Sequence, residues 1–229
     1  MYLSDKKQKI KIVCVGIGYA GCKVVAGINS IHNVNVKRIA ISKFASVLDK
    51  IDENVVKFLI GYKTLQGKGT KLNSQVGEDT VLENYDDIKT AMYGADVVMI
   101  YAGLGGETGT EVSTVVAQMA KEINAFSISI VTMPFKFEGK KRLAIASNGV
   151  KKVAQKSDLT IMFQNQNILS SIQKTLSLKE VFNLIDIYLI KESDAIVKQL
   201  LLKEKNDIEK DFLDSFSIYI IPKISNNIF

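Results

Sequence analysis

Two glycine clusters, and an acid set in an apolar stretch, are the residues of this chain best suited to chemistry. Gly16-Ile17-Gly18-Tyr19-Ala20-Gly21 spells G-x-G-x-x-G between an apolar run and a helical pattern. Glycines in such a turn let the backbone bend tightly and approach a phosphate, and the helix N-terminus that follows faces the negative charge. Alone, the pattern suggests a dinucleotide. That reading needs an acid at the end of the second strand to bond the ribose hydroxyls. Ser42-Lys43 stands there instead, which only an NADP-type site tolerates. The second cluster, residues 103–110 (GLGGETGT), also lies between a strand pattern and a helix pattern. Two glycine-rich loops at one sheet edge can surround a polyphosphate from two sides, with Thr108 and Thr110 as hydroxyl donors. Further on, Phe182 and Asp186 are four residues apart in an apolar helical stretch, hence on one face. An acid in such a stretch is costly without a partner.

The elements that must position these residues alternate. Apolar runs at residues 10–15, 38–42, 54–60, 95–102, 126–131 and 159–163 read as strands. Helical spacing occupies residues 21–31, 75–93 and 111–123, the last with Val112, Val115, Val116, Met119, Ala120 and Ile123 on one side. Such alternation predicts an α/β fold, a mostly parallel sheet with helices on both faces. Residues 61–77 form a polar, glycine-punctuated loop. Residues 178–202 hold no Gly or Pro and are apolar nearly all round, which predicts one long buried helix. A charged break at 203–210 and an apolar run at 216–221 follow.

Composition excludes several classes. Two cysteines, Cys14 and Cys22, make neither a disulfide scaffold nor a cysteine-only zinc site. One histidine argues against a His-based metal site or a Ser-His-Asp triad. The net charge of +6 is spread along the chain rather than gathered into a run, so no nucleic-acid partner is expected. No stretch reaches the ~18 apolar residues of a membrane span. The start, MYLSDKKQ, is polar and has no apolar leader, so a cytoplasmic protein is expected, touching a membrane only through a partner or its tail.

The motifs together resemble the tubulin/FtsZ family, its FtsZ branch in particular. Residues 102–110 (AGLGGETGT) look like the signature loop GGGTG[ST]G, and GIGYAG looks like the first glycine loop. Residues 131–142 (VTMPFKFEGKKR) are similar to V-T-x-P-F-x-F-E-G-x-x-R, and residues 67–77 (GKGTKLNSQVG) to the loop near the γ-phosphate. The resemblance runs in order from about residue 11 to 200. It implies a Rossmann-like GTPase domain over residues 1–176, a long central helix over 177–202 and a short tail over 203–229, with no second FtsZ domain. It also implies nucleotide-binding roles. Gly18 and Gly21 match glycines that approach the phosphates, and Gly105, Gly106, Thr108, Gly109 and Thr110 match the signature loop. Glu138 and Arg142 match residues near ribose and phosphates, and Asn165 matches an asparagine on ribose and base. Phe182 and Asp186 match the aromatic that stacks on guanine and the acid that reads it.

Three departures from the family pattern set the expected function. Glu107 and Glu111 stand where the family has glycine. Unit charges ~5 Å apart at an effective dielectric near 20 repel by about 3 kcal/mol, roughly 100-fold in affinity. Either glutamate could alternatively hold Mg²⁺. Ser42-Lys43-Phe44-Ala45-Ser46 replaces N-T-D-A-Q, where Lys43 could supply phosphate charge in exchange, and Cys22 replaces an asparagine. The acidic loop that acts on a neighbour's nucleotide is not recognisable, since Asp207, Asp211 and Asp214 have other spacings. The expectation is therefore an FtsZ-like protein of the prokaryotic cell-division or cytoskeletal machinery. It would bind GTP or GDP and hydrolyse GTP weakly or not at all when alone. Its partners would be guanine nucleotide, full-length FtsZ or a second copy of itself. A nucleotide-free module regulating FtsZ and a GTPase completed in trans are the alternatives. Catalytic residues cannot be named from the sequence, and no metal ligands are.

Overall fold

Short runs rich in Val and Ile, each stopped by glycine or a polar turn, become strands because branched side chains pack well on a pleated surface. The computed structural model describes residues 9–28, 36–61, 79–167 and 176–202. The strands are β1 (Ile12–Ile17), β2 (Val36–Ser42), β3 (Val56–Leu59), β4 (Val97–Gly103), β5 (Phe126–Met133) and β6 (Leu159–Gln164). All pair in parallel, in the order β3-β2-β1-β4-β5-β6. Central β1 aligns Val15 with Ile39 of β2 and Ile100 of β4.

Parallel neighbours need long crossovers, and these carry all the helices but the last, which follows β6. The helices are α1 (Gly18–Gly27), α2 (Ala45–Leu48), α3 (Tyr85–Met92), α4 (Ser113–Glu122), α5 (Lys140–Lys156) and α6 (Leu178–Leu201). Alternation along the strands splits the core in two. Ile12, Cys14, Met99, Tyr101 and Ile128 face α1 and α6. Val13, Val15, Ile17, Val98 and Ile100 face α3, α4 and α5. The predicted α/β class and two-faced sheet are what forms.

Local differences from the sequence reading have physical causes. The helix expected over 111–123 begins instead as a π-helical turn, Thr108–Val112, before α4. Gly109 lies so close to β4 that a Cβ on it would sit 2.0 Å from the Gly103 oxygen, and the widened turn accommodates that approach. Within the stretch expected as a helix over 75–93, the described part breaks at Glu83-Asn84 before α3. α6 is not buried all round. Val181, Ile185, Leu189, Val197 and Leu200 pack on the sheet. Leu184 and Ile187 point outward, with Ile187 61% exposed, while the half-exposed Tyr188 ring packs edge-on to Phe163 of β6. A straight helix crossing one sheet face has one side to pack, whatever its other side carries. The loop at 67–77, the tail 203–229 and its three aspartates lie outside the described residues.

Gly21 is the tightest junction of α1 with the sheet. A Cβ there would lie 2.0 Å from the Tyr101 carbonyl oxygen, backbone that cannot swing aside. Gly106 has nothing within 4 Å. Gly21→Ala should therefore cost at least about 2–3 kcal/mol through overpacking, whereas Gly106→Ala should stay within about 0.5 kcal/mol. Urea unfolding midpoints compare the two directly.

Candidate functional site

Parallel strands leave their carboxyl ends on one edge, and the loops that follow them converge there. β1 leads into Gly18, β2 into Lys43, β4 into the 103–109 loop, β5 into Pro134 and Glu138, and β6 into Asn165. These loops and the first turns of α6 enclose a cleft of about 680 Å³. The start of α6 is set by a reciprocal cap. The Ser177 N–H donates to Glu180 Oε2 at 2.8 Å, and the Glu180 N–H donates to Ser177 Oγ at 3.4 Å. That cap aims Phe182, Asn183 and Asp186 into the cleft.

Gly18, Gly106, Thr108, Gly109, Glu138, Arg142, Asn165, Phe182 and Asp186 all line it. Gly18 opens α1 with φ +67°, and a Cβ on it would meet Gly109 N and Thr108 at 3.9 Å, so the two glycine loops face each other. Gly21, Gly105 and Thr110 are not among the residues that line the cleft. Gly21 packs α1 on β4. Gly105 has φ +94°, a Cβ on it would sit 2.9 Å from the Arg142 oxygen, and its N–H donates to Thr110 Oγ1 at 3.0 Å. Both residues shape the loop from behind.

The acids of the site all have cations. Glu138 accepts from the Phe135 N–H at 2.8 Å and from Arg142 Nη1 at 2.5 Å, so it braces the loop after β5. The Phe182 ring stands edge-on to Phe135 with centroids 5.3 Å apart. Asp186 Oδ2 forms an ion pair with Lys23 of α1. Burial acts to lower the Lys23 pKa, but the Asp186 carboxylate outweighs it and holds the ammonium above its ordinary value. Asn165 is buried, and its Oδ1 has no hydrogen-bond partner among the described residues.

Glu111 does not face the cleft as the repulsion argument requires. It turns to Lys152 of α5, 2.9 Å away, and lies buried. Glu107 does line the cleft, but it pairs with Lys43 at 3.2 Å. Both acids that the sequence offered to Mg²⁺ are thus engaged by lysines, and no group of three His, Cys, Asp or Glu among the described residues could hold a metal. Cys22, in the position of the usual asparagine, turns into the core, where burial pushes its thiol up to about 12. Lys23, Lys179, Asn183 and Thr132 also line the cleft, and sequence reasoning did not select them. For Asn183 the signal was adjacency to Phe182. For Lys23 it was one helical turn beyond Tyr19.

This edge-on cleft in a six-stranded parallel sheet, with glycine loops facing at the β1/β4 switch point, defines a doubly wound domain built to hold a ligand between loops. The family profile "Tubulin/FtsZ family, GTPase domain" matches residues 11–173. The chain belongs to the tubulin/FtsZ family. It is 34% identical over 206 residues to cell division protein FtsZ 1 of Pyrococcus abyssi, covering 90% of this chain and 54% of that protein. With FtsZ 1 of Methanocaldococcus jannaschii it shares 33% identity over 213 residues, covering 93% and 57%. It superposes on the empty FtsZ dimer structure from M. jannaschii with a TM-score of 0.79 at 32% identity, over 86% of this chain and 57% of that one. CetZ2 of Haloferax volcanii, at 21% identity and TM-score 0.72 over 84% of this chain and 58% of that one, shares the fold. The chain spans about half the length of the curated relatives it matches.

Because Glu111 is buried and held by one lysine, Lys152→Met should leave an uncompensated carboxylate and cost about 2–4 kcal/mol. Adding Glu111→Gln removes the charge and should restore most of the loss. Thermal and urea unfolding of the single and double variants test this.

Proposed function

We propose that this chain binds guanine nucleotide in the cleft, with the phosphates between the two glycine loops and the base against α6. The observation that carries the reading is Asn165 Oδ1, buried in the cleft wall without a partner among the described residues. A buried acceptor of that kind is costly unless a ligand donor meets it, and a ribose hydroxyl or base N–H is such a donor. Phe182 offers a ring face and Asp186 a carboxylate on the same side of α6. A carboxylate has about four acceptor positions, so Asp186 can keep Lys23 on Oδ2 and still accept from the two adjacent N–H groups of guanine. Adenine presents no such pair. Gly18, Gly106 and Gly109 also line the cleft, and the backbone N–H groups of such glycine loops suit phosphate oxygens.

Hydrolysis in the isolated chain is slow on this reading. The described acids of the cleft are each engaged, Glu107 by Lys43, Glu138 by Arg142 and Asp186 by Lys23. Positioning the attacking water supplies much of phosphoryl-transfer catalysis, and that positioning group then comes from elsewhere, as in a head-to-tail contact between subunits. The biological role that follows is one in prokaryotic cell division or the cytoskeleton, with full-length FtsZ or a second copy as partner. Mg²⁺, if it accompanies the nucleotide, would have to rely on the phosphates and water more than on side chains, since no cluster of three His, Cys, Asp or Glu lies among the described residues.

Denaturing the purified protein and identifying any released nucleotide tests the binding reading. In titrations, GTP and GDP should bind more tightly than ATP, and Asp186→Ala should weaken both by at least about fivefold. Equal affinity for ATP and GTP overturns the base assignment. No guanine nucleotide bound under any condition favours a nucleotide-free interaction module instead. Phosphate release from GTP by the chain alone should be negligible at every protein concentration, and turnover that rises with concentration would refute that part.

A further inference from the structure

One ion pair lies beside the two glycine loops of the cleft. Glu107 sits inside the second glycine loop, between Gly106 and Thr108, which both line the cleft. Its carboxylate does not reach into solvent. It meets the Lys43 ammonium at 3.2 Å, and the two side chains are only 7% and 13% exposed. Lys43 follows β2, so the pair bridges two loops that flank the first glycine turn. Its ammonium also lies 5.7 Å from the centroid of the Phe44 ring.

We propose that Lys43 is the phosphate-binding cation of this cleft and that Glu107 is its built-in competitor, holding the ammonium until a phosphate takes it over. The inference rests on the guanine-nucleotide reading above. Charges buried to this extent attract each other strongly, because little water screens them. A phosphate lying between the glycine loops is the one anion of the proposed ligand that can replace the carboxylate at Lys43. It brings more negative charge than Glu107 and also accepts from the loop N–H groups. The Lys43–Glu107 pair then sets how strongly the cleft rewards phosphate. The penalty falls on GDP and GTP and spares guanosine, which has no phosphate to compete.

Calorimetric titration of guanosine, GDP and GTP into the unchanged protein, Glu107→Gln, and Glu107→Gln with Lys43→Gln tests the pair. Glu107→Gln should bind GDP and GTP about tenfold tighter, with guanosine unchanged within about twofold. Adding Lys43→Gln should abolish that gain, again without moving guanosine. An equal gain with and without Lys43 would mean that Glu107 merely repels phosphate, and it overturns the assignment of Lys43. Unchanged GDP and GTP affinities in Glu107→Gln overturn the competitor role. Guanosine binding that persists while phosphates add nothing in any variant overturns the inference alone. No binding of any guanine ligand to any variant overturns the reading beneath it. Should Glu107→Gln not fold, Glu107→Gly removes the same carboxylate and carries the same comparison.

Discussion

Backbone touching backbone at the junction of the first helix, the β4 strand and the second glycine loop is the constraint on which this site depends. A Cβ on Gly21 would meet the Tyr101 oxygen at 2.0 Å, and one on Gly109 would meet the Gly103 oxygen at 2.0 Å. With side chains removed at these points, α1 lies flush on the sheet and the 103–109 loop folds back over β4. Gly18 then faces Gly109 across the cleft. The glycines that matter most for the shape are therefore partly ones that do not border the cleft. Gly21 and Gly105 set distances, while Gly18, Gly106 and Gly109 border the space those distances leave.

Charge in the cleft is arranged by pairing across elements. Lys23 of α1 meets Asp186 of α6, Lys43 after β2 meets Glu107 after β4, and Glu111 meets Lys152 of α5. Each pair joins segments far apart in sequence, so each forms only once the sheet has assembled. Such contacts add little net stability when buried, but they fix which acids face the ligand space and which face away. Glu111 is the clearest case. Its position in the signature loop suggests repulsion of an anion, and its burial against α5 takes it out of the cleft.

The first turns of α6 link the site to the rest of the helix. Its sheet-facing side, Val181, Ile185 and Leu189, anchors it on the same core as Cys14 and Tyr101. That anchoring places Phe182 and Asp186 at the cleft while Leu184 and Ile187 are exposed. One helix thus carries a packing face, a site-facing edge and an outward apolar face.

Strand identity, the parallel α/β class and the two glycine loops were legible in the sequence, because local apolar periodicity and glycine placement directly dictate them. The i,i+4 spacing of Phe182 and Asp186 was legible for the same reason, since a helix has only one geometry. Partners were not. Nothing local indicates that Asp186 meets Lys23, 163 residues away, or that Glu107 and Glu111, four residues apart, turn to different lysines on different elements. The division of the glycines into those that line the cleft and those that pack behind it was equally hidden. Sequence records which residues can do a thing, through side-chain chemistry and local spacing. Which of them face the same space depends on crossovers that bring distant segments to one sheet edge, and only the tertiary structure decides that.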